Sequence, residues 1–232
     1  MRMKEAFKFA FPKTIPIFTG FLFLGISYGI FATSLGFHPL FPIITSAIVY
    51  AGSMEFVTMS MLLGTFNPIM SYLLTLMVNA RHIFYGLSML DKFKNLGWKK
   101  FFIIFGMCDE TFSINVSLDI PEYLDKSWVY FHVTWLNQMY WVFGTAVGAI
   151  FGNHLPFDTQ GIDFVLNALF IVLLLDHWLK KKQHHSVFIG LLASLLSLIV
   201  FGAENFMIPA MVIIILIFSF QFLITKPSGW ER

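Results

Sequence analysis

Ala51-Gly52-Ser53-Met54-Glu55-Phe56 opens, and Asn79-Ala80-Arg81-His82-Ile83-Phe84-Tyr85-Gly86 closes, the stretch on which the reading of this chain turns. A carboxylate stands in the first part and a basic pair in the second, and nearly everything around them is apolar. Placing a charge at the centre of a bilayer costs at least about 2.5–3.5 kcal/mol on insertion scales, so such residues face a cavity or a partner. The stretch therefore reads as half of a substrate pathway through a membrane.

Composition supports that setting. The 232 residues are 57% hydrophobic and only 12% charged, with 29 Phe and a mean hydropathy of +0.75; soluble domains carry roughly 25% charged residues. The length accommodates about seven or eight apolar segments of ~20 residues. The fold class expected is all-α, a polytopic helical membrane protein embedded in a lipid bilayer. A net charge of +2 and the lack of a basic aromatic patch argue against a nucleic-acid partner. One cysteine, Cys108, excludes an intramolecular disulfide framework and a Cys-rich metal site. No metal or other cofactor is expected.

Candidate segments run over 14–35, 40–64, 68–90, 101–118, 128–151, 162–179, 186–202 and 206–225. Residues 1–13, with Arg2, Lys4, Lys8 and Lys13, read as a basic cytoplasmic N-terminus ahead of a retained first span. Residues 14–225 read as one transmembrane domain, and 226–232 as a C-terminal tail. Phe37-His38-Pro39 and Asn67-Pro68 are turn signals. Glu204 is expected to mark the turn between the last two segments, and Trp98, Trp128 and Trp178 stand at segment ends, as an aromatic belt would place them.

The basic loops raise a question of parity. The N-terminus, the 92–100 loop and Lys180-Lys181-Lys182 should all be cytoplasmic. Three apolar segments separate each pair, where an even number of crossings is required. Either one basic loop breaks the rule, or one segment in each half enters and leaves on the same side. Gly52-Ser53 before Glu55, and Gly106 before Asp109-Glu110, mark where such broken or re-entrant helices would turn. Non-helical backbone at that depth is tolerated only where protein or water covers it. The stretches 51–86 and 106–144 also echo each other, as an internal repeat would, although apolar chains rich in Phe and Gly give such echoes by chance.

The chemistry-bearing candidates follow. Glu55, Asp109 and Glu110 are proton carriers or acceptors for a substrate ammonium, set against the alternative of carboxyls held between helices as hydrogen-bonding groups. Arg81 is a fork for a substrate carboxylate or a partner of Glu55 or Asp109; its distance from the basic loop also allows it to snorkel. His82 is a proton relay, Tyr85 lies one turn from Arg81, and Asn79 and Thr111 complete the two polar motifs. Gly52, Ser53 and Gly106 are the expected helix breaks, with a half-helix N-terminus near Gly52 suited to a substrate carboxylate. Gly25-x-x-x-Gly29 and Gly144-x-x-x-Gly148-x-x-x-Gly152 read as packing ridges. Gly25-Ile26-Ser27-Tyr28-Gly29 spells a nucleophile elbow, but in a helical run rather than a strand–turn–helix. An intramembrane hydrolase using Ser27 and a non-transporting assembly or sensor subunit are the rival readings; the chain is not expected to be an enzyme.

The sequence resembles the AzlC-type branched-chain amino acid transporter family. The resemblance rests on Gly25 to Gly29, Ala51-Gly52-Ser53-x-x-Phe56, Asn79-x-Arg81-His82-x-x-Tyr85-Gly86 and Asp109-Glu110-Thr111-Phe112, on Trp141 to Gly152, and on Asp163 with Ala168-Leu169-Phe170. It covers roughly residues 14–180. The family often has Gln where this chain has Glu55, so Glu55 is either a functional group or a local tuning of charge. The resemblance implies a secondary transporter exporting valine, leucine and isoleucine across a bacterial inner membrane, with a small hydrophobic AzlD-type subunit as partner. With no nucleotide motif, a proton or substrate gradient would drive it.

Overall fold

A computed structural model describes residues 2–65, 67–152, 164, 168, 171, 175, 178 and 184–224. These residues are helical or irregular, with no strand among them. The chain divides into two units, Met1–Leu166 and Asn167–Arg232. One helix among the described residues, Met3–Ser34, is long and apolar enough by length and composition to cross a membrane.

The first unit is organised on two long helices, α1 (Arg2–Ser34) and α8 (Lys126–Phe151). They run parallel and touch along their length. Phe7 meets His132 edge-on, Thr14 Oγ1 lies 3.0 Å from Tyr140 OH, and Phe21 meets Trp141. Further along, the backbones themselves come together. A Cβ on Gly25 would stand 2.8 Å from the Trp141 carbonyl oxygen, and one on Gly29 or Gly148 would collide with the facing backbone. The small-residue ridges expected from the sequence are thus the seam of this pair. The basic residues 2–13 are the opening turns of α1, with Ala6 and Ala10 fully buried. The first helix accordingly begins near Arg2, not at residue 14, because small residues at i and i+4 let those turns pack.

Helix α8 supplies a depth scale for the rest. From the far end of α1, α2 (Leu40–Ile48) descends until Gln138 Nε2 donates to the Ala47 carbonyl at 2.9 Å. The chain then breaks, with Tyr50 at φ +49 and Gly52 at φ +50. Helix α3 (Ser53–Leu63) leaves the break with Glu55 at Trp141 and Phe56 against Tyr28 and Phe31, back towards the end from which α2 came. Nine and eleven residues make helices of about 13 and 16 Å, each near half of a ~30 Å hydrocarbon core.

Helices α4 (Pro68–Asn79) and α5 (Arg81–Met89) follow, joined at Ala80, which keeps helical dihedrals. Together they cross: Arg81 reaches Ser53 at the break, while Met89 is buried with Ala6, Phe93 and Tyr130 near the start of α8.

The second broken pair mirrors the first from the other end. Helix α6 (Lys99–Phe105) starts with Lys99 bonded to Ser127 and reaches Thr134 at Gly106. Helix α7 (Asp109–Ser117) then turns back. Thr111 meets Asn137, the Asn115 and Val116 carbonyls accept from Lys92 Nζ, and Ile120 and Leu124 rejoin the cluster around Val129 and Tyr130. Two half-depth hairpins therefore enter from opposite ends and meet at the middle of α8. Within the first unit α2–α3 turns back at the middle of α8, which is the geometry the re-entrant solution to the parity question requires. The corresponding test in the second half involves 162–179 and Lys180-Lys181-Lys182, which lie mostly outside the described residues, as do Asp163, Leu169, Phe170 and the tail 226–232.

In the second unit, α9 (His185–Asn205) is kinked at Gly202 (φ 74) and followed by α10 (Met207–Ile224). Glu204 falls within the last turns of α9, and the helix boundary lies at Phe206. Trp178 stacks on His184 at 4.2 Å, and Gln221 lies 2.7 Å from His185.

Candidate functional site at the hairpin tips

The two breaks exist for local reasons. At the first, the left-handed dihedrals of Tyr50 and Gly52 free backbone groups that the helix would otherwise bond. Glu55, two percent exposed, folds back so that its Oε1 accepts the Ala51 N–H at 2.9 Å, while its Oε2 accepts Trp141 Nε1–H at 3.0 Å. At the second, Cys108 caps α7: its sulfur accepts the Thr111 N–H at 3.5 Å and lies 3.1 Å from Thr111 Oγ1. Tyr50 OH reaches across from the first tip to Cys108 Sγ, 3.8 Å away.

Arg81 sits between the tips. Its Nη1 lies 2.6 Å from Asp109 Oδ2, its Nη2 donates to Ser53 Oγ at 3.4 Å, and its buried Nε has no partner among the described residues. Tyr85 OH donates to Asp109 Oδ1 at 2.8 Å and stacks on Phe112. Asp109 opens α7, where a negative charge is favoured by the helix dipole. The ion pair is only partly covered, with Arg81 and Asp109 side chains 32% and 20% exposed. The pair lies at the level of α8 where Thr111 meets Asn137 and Glu55 meets Trp141.

Of the residues singled out from sequence, Ser53, Arg81, Tyr85 and Asp109 form one connected cluster. Glu110 follows Asp109 and lies within electrostatic reach of Arg81, Tyr50 and Cys108. Thr111 is fully buried and accepts from Asn137 Nδ2 at 3.0 Å. Gly52 and Gly106 mark the turns. Glu55 is joined to Trp141 and to the Ala51 backbone rather than to Arg81. His82 lies 3.0 Å from the Asn79 carbonyl through Nδ1 and meets Tyr85 edge-on. It turns to a groove of about 380 Å³ between α5 and α6, whose walls include Ile83, Gly86, Leu87, Ile104 and Met107.

Sequence reasoning did not place Tyr50, Asn115, Asn137, Gln138 and Trp141 in the site. Asn137 and Gln138 form a polar pair in the middle of an apolar helix, which was a readable signal. Asn137 Oδ1 and both side-chain polar atoms of the fully buried Asn115 have no partner among the described residues. Ser27 donates to the Phe23 carbonyl at 2.9 Å within continuous α1, not in an elbow. No cluster of three or more metal-ligating side chains occurs among the described residues.

An all-helical chain with two opposed half-depth hairpins and a charge pair at their tips is a polytopic membrane protein. It belongs to the AzlC family: the family described as AzlC protein matches residues 16–155. A Bacillus subtilis protein named "Branched-chain amino acid transport protein AzlC" is 58% identical over 90% of this chain and 83% of its own length. A Haemophilus influenzae "Uncharacterized membrane protein" is 44% identical over 96% and 91%. The Escherichia coli "Inner membrane protein YgaZ" is 29% identical over 73% and 72%. No solved structure gives a significant match.

Proposed function

We propose that this chain is the principal subunit of a secondary transporter that exports branched-chain amino acids. The observation that carries the reading is the partly open Arg81–Asp109 pair at the meeting of the hairpin tips. A cargo carboxylate competes with Asp109 for the Arg81 fork, a bidentate acceptor in place of an internal one. The released Asp109, still held by Tyr85, is then available to the cargo ammonium or to a coupling proton, with Glu110 as the second carboxyl. The groove beside His82 and Gly86 is apolar and lies next to Arg81 in sequence, which suits an aliphatic side chain. The name of the Bacillus subtilis relative supports the substrate class.

The setting is a bacterial inner membrane. Lys4, Lys92, Lys94, Lys99 and Lys126 gather at one end of the first unit, which the positive-inside tendency places in the cytoplasm with the N-terminus. A small hydrophobic AzlD-type subunit is the partner. A panel of efflux assays in liposomes holding both subunits is the test. Valine, leucine and isoleucine should leave loaded vesicles faster than lysine or glutamate, and an imposed proton gradient should change the rate. Equal rates for all five would remove the substrate assignment.

A further inference from the structure

Away from the hairpin tips, the first turns of α1 and α8 enclose a second hollow of about 560 Å³. Its walls are aromatic, built from Phe7, Trp128, Phe131 and Trp135, and its cations are Lys4 and Lys8. The two lysines stand one turn apart on α1, so they share a face. Both are exposed. Among the described residues the ion pairs join Arg81 to Asp109 and Lys94 to Asp91, so neither lysine is engaged by a carboxylate there. A third cation borders the hollow: Lys99 Nζ sits 4.3 Å over the Trp128 ring.

We propose that this hollow is a binding site for an anionic phospholipid. The chemistry divides as such a lipid does. Ammonium groups lie at the helix-terminal end, where a phosphate would stand, and an aromatic wall leads inward along α8 for the acyl chains. Tryptophan at that level is characteristic of the membrane interface, and basic pockets between transmembrane helices recognise anionic headgroups. A free phosphate would use the lysines but leave the aromatic wall uncovered. A peptide helix would bring no charge for Lys4 and Lys8 unless it were acidic. The site is separate from the Arg81 cluster and does not depend on what the protein transports.

The test uses the full chain reconstituted in phosphatidylcholine vesicles containing a brominated phosphatidylglycerol or a brominated phosphatidylcholine, with tryptophan quenching as the readout. The wild type should be quenched at lower concentration by the anionic lipid. The Lys4→Gln, Lys8→Gln double variant should lose roughly 25-fold of that preference, about five-fold for each lysine. A Lys4→Arg, Lys8→Arg variant keeps the charges and should behave as wild type, which covers the case in which the glutamine variant does not fold. A Trp128→Phe, Trp135→Phe variant should lose the saturable part of the quenching. Equal quenching of the wild type by both lipids would overturn the proposal. So would full preference in a folded glutamine variant, or reversal of quenching by inorganic phosphate.

Discussion

Arg81 Nη1 lies 2.6 Å from Asp109 Oδ2, level with the middle of α8, where the tips of two opposed hairpins meet. Ser53 of the first tip touches the same guanidinium. One side chain on a crossing helix thus reads the position of both half-helices at once. Asp109 to Asn keeps a hydrogen-bond acceptor for Tyr85 but removes the charge that holds Arg81. We expect the Asn variant to insert normally and to lose roughly tenfold or more in transport, because hydrogen bonds between charged groups are worth about 1.5–3 kcal/mol. Efflux of valine normalised to membrane level measures it.

Glu55 acts on the first tip from behind. Its carboxylate accepts two N–H groups, from Ala51 and from Trp141. Glu55→Leu leaves both donors buried and unpaired, at about 1–3 kcal/mol for each. Glu55→Gln keeps one oxygen to accept and should lose clearly less. Thermal unfolding in detergent should therefore rank wild type above Gln and Gln above Leu. Equal melting of the Gln and Leu variants would mean that the two hydrogen bonds do not hold the tip.

The α1–α8 seam tolerates no side chain at its narrowest points. A Cβ at Gly148 would collide with the Ile26 backbone. Gly148→Ala should cost at least the about 1–3 kcal/mol typical of overpacking, since backbone rather than a mobile side chain must shift. Gly86, whose Cβ would meet nothing within 4 Å, is the control, and Gly86→Ala should melt near the wild-type temperature.

The start of α8 carries a pH-dependent cap. Asp125 Oδ1 accepts from the Ser127 N–H at 2.9 Å and from Ser127 Oγ at 2.7 Å. These bonds, the hydroxyl first, hold its carboxyl below the usual value. A depressed folded-state pKa gives stability that is present above the unfolded value, about 3.9, and is lost as pH falls through the folded one. Asp125→Ala should cost about 1 kcal/mol at neutral pH. That gap in melting temperature should close as pH drops below about 4.

The re-entrant course makes a labelling prediction. In a Cys108→Ser background, cysteines placed at Phe37 and Asn67 should react from one side of the membrane, and those at Lys94 and Asp119 from the other. A hairpin α2–α3 that crossed would put Phe37 and Asn67 on opposite sides.

Much of this was legible in the chain because membranes make polar residues conspicuous. Gly52-Ser53 and Gly106, each followed by a carboxylate inside an apolar run, announced the breaks, and the basic loops required an even count of crossings. The packing role of Gly25, Gly29, Gly144 and Gly148 followed from spacing alone. What was hidden depended on long-range pairing. Nothing in sequence joins Glu55 to Trp141, 86 positions apart, so the hydrogen bonds that tie this embedded carboxylate to the first turn could not be read there. The basic N-terminus was legible by its charge, but not that its residues are the first turns of α1, which rests on the burial of Ala6 and Ala10.

The most direct measurement compares valine binding and flux for wild type, Arg81→Lys and Arg81→Gln in liposomes containing the chain and the proposed small subunit. If the cargo carboxylate displaces Asp109 from the Arg81 fork, the lysine variant should weaken valine binding and the glutamine variant abolish flux, while both remain folded by thermal unfolding. Flux at the wild-type rate from a folded Arg81→Gln protein would contradict it.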